Sequence, residues 1–499
     1  MALDHMLLRL LWATLPIVGL TWGQSIDCDG YSNTVTNATT ADQLSSCISV
    51  PGDVFIQSGA GKNISFLGLT TIGGDLYCEG VPDLNRINFP SLREIGGKLS
   101  IIQLENLLEL DLPNLTTVGN GIALQNNLYN LTSLSLDTGL SNCSSVVIQD
   151  TSLTSLKGFN MKSVDAVNVT DNPFLSDIQL SFANATGDVL IYSNGNGIAN
   201  GQTALSFPSL QSVKNLNVSE VTNFSAPLLQ NVTSSIAFQE NNYLHSIELP
   251  VLGTVQLSLV IANNSELANV SLPVFRQIED LYIMNNPKLS LLSMPKVLSV
   301  ESFMVFSKNT ALKQLELASL LDSSEITLNG SFSNVSFPRF EDGYSIIVDT
   351  TDHNFDCTEF AILNKTRNIT ELSCNGQTDQ KKVKSAKYTG YYEPHSGLSS
   401  GSKIGIGVGI GVGVPVVLAI VGGAWFFHHR KRHQPVPGGE EEAEKAERAE
   451  LGAEGPNSNA AEAHGGNTKY DKALATELDP ASPPSELPVR EQPGLHEME

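Results

Sequence analysis

Cutting a polysaccharide requires two carboxylates at a fixed separation, one of them raised in pKa to act as an acid. The 499-residue chain supplies few groups that could do this. Between residues 24 and 403 it has three histidines, His245, His353 and His395, in widely separated segments. Glu279-Asp280 is the only adjacent acidic pair inside the clearly repetitive region, and between Ile278 and Leu281 it reads as a solvated strand edge. Asp-Asp pairs, Cys-X-X-Cys motifs and Cys/His clusters are missing. No catalytic residue, metal ligand or cofactor is therefore expected, and the chain reads as a non-enzyme.

Two residue types offer other chemistry. The six cysteines, Cys28, Cys47, Cys78, Cys143, Cys357 and Cys374, are an even number suited to an oxidising compartment. Fifteen connectivities are formally open. Short separations favour Cys28–Cys47 and Cys357–Cys374, which leaves Cys78–Cys143 by elimination. Sixteen Asn-X-Ser/Thr sequons are candidate glycosylation sites: Asn37, Asn63, Asn114, Asn130, Asn142, Asn168, Asn184, Asn217, Asn223, Asn231, Asn263, Asn269, Asn329, Asn334, Asn364 and Asn368. All of these cysteines and sequons precede residue 404.

That asymmetry implies a boundary, and hydropathy supplies one. Residues 1–23 have the apolar run and small terminal residue of a secretory signal. Ile404–Phe427 is 24 residues without a charge, ending in Trp425-Phe426-Phe427 and followed by His428, His429, Arg430, Lys431, Arg432 and His433. About 20 apolar residues cross a bilayer, and the basic cluster marks a cytoplasmic side. The expectation is a single-pass type I plasma-membrane protein: signal 1–23, outer domain 24–374, flexible stalk 375–403, transmembrane helix 404–427 and disordered acidic tail 428–499. Gly405, Gly409 and Gly413 share one face of that helix, a spacing that permits a span-mediated dimer; no phosphate-binding loop fits a membrane span. Residues 24–403 hold 36 acidic and 20 basic residues, which argues against a nucleic-acid partner.

What positions the outer residues is a repeat. Pro227, Pro250, Pro273 and Pro295 are 23, 23 and 22 residues apart, as Pro90 and Pro113 are 23 apart. Asn241-Asn242, Asn263-Asn264 and Asn285-Asn286 follow the same period, with Asn309 next. Alternations such as Leu257-X-Leu259-X-Ile261 have period two, and the prolines come too often for helices. The fold class expected is all-β, a right-handed parallel β-helix of near 12 coils from Val54 to Phe340, with a Cys pair covering each end. Asn242, Asn264, Asn286 and Asn309 are expected as structural turn residues, since Asn tolerates left-handed backbone and bonds local groups. Where the period weakens, Ser193-Asn194-Gly195-Asn196-Gly197 reads as a loop projecting from the stack.

The repeat resembles the receptor L-domain. More closely, the chain resembles the fungal cell-wall organisation glycoproteins of the extracellular-mutant/sporulation-specific family. The likeness rests on Cys28…Leu44-Ser45-Ser46-Cys47…Gly52-Asp53-Val54, on Thr138-Gly139-Leu140-Ser141…Thr154-Ser155-Leu156, and on Cys357…Cys374, and it spans 28–374. It implies a leucine-rich-repeat-like surface glycoprotein supporting cell-wall organisation, with wall polysaccharide or wall glycoproteins as partners. Such proteins typically carry a GPI anchor; here 72 residues follow the apolar run, so a retained span through the lipid bilayer is expected instead. Two other readings are a wall-state sensor signalling through the tail and a polysaccharide-active β-helix enzyme.

Overall fold

A computed structural model describes residues 26–197, 203–367 and 369–387. The signal, the span with Gly405, Gly409 and Gly413, the tail, His395 and Asn368 lie outside the described residues. Among the described residues no helix is long and apolar enough to cross a membrane.

The alternation seen in the sequence becomes a parallel β-solenoid of about 15 turns. Each turn adds one strand to a long sheet: Ser32–Val35 pairs with Asp53–Ile56, which pairs with Leu76–Glu79, then Lys98–Ile102, Gly121–Gln125 and Ser145–Gln149. The same ladder continues through Ser258–Ala262, Asp280–Met284 and Ser299–Asn309 to Glu371–Cys374, always parallel. Shorter strands form the other sides, such as Thr71–Ile72 on Glu94–Ile95 and Arg86–Asn88 on Glu109–Asp111. Register places like residues in columns, so Val54, Leu76, Leu99, Ile122 and Val146 line one inward file, none more than 1 % exposed. Burial of that kind, about 25 cal/mol per Å² of apolar surface, drives the stacking. Pro90 and Pro250 sit in the turns that follow Arg86–Asn88 and Ser246–Glu248, where no ladder donor is needed.

Both ends are covered. At the first, helix Ala38–Ser46 starts on Asn37, whose side chain accepts from the Thr40 N–H, and Cys28–Cys47 ties it down. At the last, helix Thr358–Arg367 covers the core with Phe360, and Cys357–Cys374 joins it to the final strand.

Four expectations change. The third disulfide does not form: Cys78 and Cys143 are free and buried. Cys78 lies between Ile56 and Ile101 in the long sheet, whereas Cys143 pairs with Val118 on another side. Cys143 stands three turns beyond Ile72, the neighbour of Cys78, or ~14 Å at ~4.8 Å per strand, against the ~4.4–6.8 Å Cα separation a disulfide tolerates. Of the expected projecting loop, Ser193, Asn194 and Gly195 are buried, Asn194 within the interior polar column described below, while Asn196 and Gly197 are exposed. The stalk starts later than 375. Asn375 and Gln377 bond back into the last turns, and Lys365 Nζ donates to the carbonyls of Val383, Lys384 and Ala386, holding helix Gln380–Ser385 against the cap. Finally, about 15 turns exceed the near 12 expected, because the strands at Ser32–Val35 and Ser345–Thr350 and beyond extend the stack past the clear repeats.

Candidate ligand-binding face

Inward residues of the long sheet build the core, so the alternate residues form its outer face. Down the middle of that face runs one file: Phe55, Tyr77, Ser100, Ala123, Val147, Asn168, Leu190 and Asn217, then Ala237, Val260, Tyr282 and Val305. This lane is largely apolar and half-buried by its neighbours. Sequence reading attended to the inward positions and missed it, although Phe55-to-Tyr77 and Val260-to-Tyr282 stand one repeat apart.

Along one edge of the lane lies a polar ridge with an unusual backbone. Gln103, Asn126, Asp150, Asp171, Ser193, Glu220, Glu240, Asn263, Asn285 and Lys308 all hold φ between +53° and +61°. A left-handed conformation costs a non-glycine residue roughly 1–2 kcal/mol. Its effect is to turn the next side chain into the interior, where Asn172, Asn194, Asn241, Asn264, Asn286 and Asn309 are at most 1 % exposed. There they bond turn to turn. Asn264 Oδ1 accepts from the Asn241 N–H and Nδ2 at 3.0 Å each, and Asn286 Oδ1 does the same for Asn264 at 3.1 and 3.0 Å. Each spare amide proton goes to a strand carbonyl, as from Asn309 Nδ2 to Ile283 O at 2.7 Å. The two properties assigned to one turn Asn are thus divided between neighbours. Asn264, Asn286 and Asn309 occupy the interior column, with the left-handed backbone at the residue before each, whereas Asn242 is exposed and Asn241 takes the interior place. The signal was in Asn263-Asn264 and Asn285-Asn286: aligned by period, Asn241 matches the second member of each later pair.

The face carries its own electrostatics. Asp280 and Tyr282 are adjacent outward positions of Asp280–Met284. Burial pushes the Asp280 carboxyl up to about 6, only partly opposed by the Phe303 N–H that donates to it at 3.2 Å, while the Glu279 charge adds to the rise. Burial and the charges of Asp280, Glu279 and Glu325 push Tyr282 up to about 12. Asp280 is half-buried on the outer face rather than on a fully solvated edge. Its folded-state pKa lies above the ordinary carboxylate value, so the folded chain holds the proton more tightly than the unfolded one. Stability should fall as pH rises from about 4 to 6, and Asp280→Asn should flatten that slope in urea titrations at pH 4, 5 and 6. An unchanged slope in the variant would place the Asp280 carboxylate in water.

Of the other sequence candidates, His245 and His353 are on exposed turns, the first with Nδ1 2.8 Å from Tyr243 O. Among the described residues no group of three or more His, Cys, Asp or Glu could hold a metal ion. Eleven sequon asparagines are exposed: Asn37, Asn63, Asn114, Asn130, Asn142, Asn184, Asn223, Asn231, Asn329, Asn334 and Asn364. Asn168, Asn217, Asn263 and Asn269 are half-buried. Asn168 and Asn217 stand in the lane itself, with Oδ1 buried and unpartnered.

Comparison with known proteins finds fungal cell-surface and cell-wall relatives. The chain is 26 % identical over 430 residues to a cell surface GPI-anchored protein of Arthroderma benhamiae, covering 84 % of this chain and 99 % of that one. It is 27 % identical over 235 residues to sporulation-specific protein 2 of Saccharomyces cerevisiae, covering 46 % of this chain and 41 % of the relative. Against protein ecm33 of Aspergillus fumigatus it is 26 % identical over 329 residues, covering 66 % and 75 %. No protein-family model matches the chain. No solved structure matches it. At modest identity, the chain is a homologue of fungal cell-surface and cell-wall proteins, ecm33 and sporulation-specific protein 2 among them.

Proposed function

We propose that this chain is a non-enzymatic surface glycoprotein that supports fungal cell-wall organisation by binding wall glycan along the outer face of its long sheet. The observation that carries the reading is the lane beside the ridge: apolar and aromatic positions next to amides and carboxylates, repeated once per turn. Extended glycans are bound by that combination, with sugar rings on apolar surface and hydroxyls on polar side chains. Names of the relatives, such as cell wall protein ecm33 of Schizosaccharomyces pombe, support the setting. The uncharged run 404–427 and the basic residues after it favour retention at the plasma membrane with the solenoid outside.

The test is to pass the full-length chain, solubilised in mild detergent, over fractionated wall polysaccharides. Retention without release of oligosaccharide is expected. Release of oligosaccharide would make the chain an enzyme, and no retention on any fraction would remove the glycan reading.

A further inference from the structure

The long face is not uniform, and its sequons mark the difference. From Asp53–Ile56 through Ser145–Gln149 the outward positions of five successive strands contain no sequon asparagine. Beyond them Asn168 and Asn217 stand in the lane, and Asn329 lies on the outer face of Asp322–Gly330. Glycans on those asparagines would cover the lane there and leave the five strands from Asp53–Ile56 to Ser145–Gln149 bare.

At the start of the bare stretch the face dips into a groove of about 370 Å³ lined by Phe55, Gln57, Ser58, Tyr77 and Glu79. That volume lies within the range of small-ligand sites. Phe55 and Tyr77 meet edge to face with centroids 6.1 Å apart, and the Tyr77 hydroxyl donates to the Glu79 carboxylate. One ring face and one carboxylate are therefore held together by their own contact, before any ligand arrives. Past Tyr77 the lane continues with the small residues Ser100 and Ala123, 6 % and 1 % exposed and so covered by their neighbours, before it reaches Val147. Asp53 and Asp75 stand on the other side of the Phe55–Tyr77 file and accept backbone N–H groups of the next turns, an acidic edge that disfavours anionic polymers.

We propose that this groove is a subsite for the terminal one or two pyranose units of a neutral β-linked glycan. The sugar's apolar face lies on Tyr77 and Phe55, and its hydroxyls donate to Glu79 and meet the Gln57 amide. The proposal rests on the glycan-binding reading and narrows it to one end of the face.

The test uses the full-length chain in detergent with two probes, a linear β-1,3-glucohexaose and a chitohexaose, and measures affinity for wild type, Tyr77→Ala, Tyr77→Phe, Glu79→Gln and Tyr243→Ala. Tyr243 is an exposed control on a different turn. Folding is followed by Cys78, which is buried behind the same strand and should stay unreactive to an alkylating reagent in every variant. Expected is binding of at least one probe, a loss of about tenfold in Tyr77→Ala, corresponding to ~1.4 kcal/mol, a smaller loss in Glu79→Gln, and near-wild-type affinity in Tyr77→Phe and Tyr243→Ala. Wild-type binding that both Tyr77→Ala and Glu79→Gln retain in full overturns the subsite but leaves the glycan reading standing. Wall polymers retained by the wild type with neither hexamer bound also overturn it, since an end site must take an oligomer. Failure of the wild type on oligomers and polymers alike removes the glycan reading itself.

Discussion

Replacing Asn241 by Ala should destabilise the solenoid by about 3–5 kcal/mol, whereas Ala at the adjacent Asn242 should change stability by no more than ~0.5 kcal/mol. The two residues share a side chain and a turn, and differ only in where the backbone sends them. Asn241 is fully buried, and its Oδ1 accepts from the Val221 N–H at 3.0 Å. Its Nδ2 donates to Val218 O at 3.1 Å and to Asn264 Oδ1 at 3.0 Å. Alanine leaves a buried donor and a buried acceptor with nothing to meet, each costing about 1–3 kcal/mol. It also opens a small void between turns. Asn242 is exposed and offers its Oδ1 and backbone carbonyl to the exposed Ser265 hydroxyl, a bond that water replaces at little cost. Because each turn of a solenoid contacts mainly its neighbours, the loss should be local. Amide exchange should accelerate in Ser235–Gln239 and Ser258–Ala262 before it does so at either cap. Equal urea midpoints for the two variants would sink this account of the column.

How far the sequence revealed this fold can be judged from the same turn. The 22–23-residue period, the strand alternation and the prolines are local signals, and each predicts its place in the stack. Cys28–Cys47 and Cys357–Cys374 are legible because short loops at the ends of a repeat have few partners to choose from. Asn241 versus Asn242 is harder. The choice depends on which residue takes the left-handed backbone, and in this chain Gln, Asn, Asp, Ser, Glu and Lys all do so. The interior Asn compensates for that conformation by bonds to other turns, which a local pattern does not contain. Long-range geometry hid the rest. Cys78 and Cys143 fit a pairing rule until the three turns between them are counted. Ser193-Asn194-Gly195 has loop composition, yet Asn194 bonds to Val169 O, Tyr192 O and Asn172 inside the stack. The outer lane leaves almost no imprint on hydropathy, because Phe55, Tyr77 and Val260 look like further core residues in an already apolar strand.

Gly96→Ala should cost about 3 kcal/mol, near the upper part of the range for forcing extra volume into a close-packed site. In the turns that carry Ile72-Gly73-Gly74, Ile95-Gly96-Gly97 and Val118-Gly119, a glycine follows the short strand at intervals of 23 residues. Neither Gly96 nor its neighbours in this column needs left-handed backbone; the constraint is distance. A Cβ on Gly96 would lie 2.2 Å from the Gly73 carbonyl oxygen, and one on Gly119 would lie 2.0 Å from that of Gly96. The Gly96 N–H donates to Ile72 O at 2.8 Å, so the corner cannot move outward without breaking this bond. Glu94–Ile95 on one side and Lys98–Ile102 on the other are both in register with the previous turn, which leaves no slack in between. Gly253 is the contrast: the nearest atom to its Cβ would be Gln230 O at 3.8 Å. Gly253→Ala should be neutral or stabilising by up to ~1 kcal/mol, since alanine restricts the unfolded chain. Later turns place Thr233, Gln256 and Glu279 after Val232, Val255 and Ile278, and there the short strands join the long sheet directly. The corner is thus a property of the early turns, the same ones that hold the bare groove. A urea midpoint for Gly96→Ala no lower than that for Gly253→Ala would show that the early turns can open at this corner, and the register that aligns Phe55 with Tyr77 would then not depend on it.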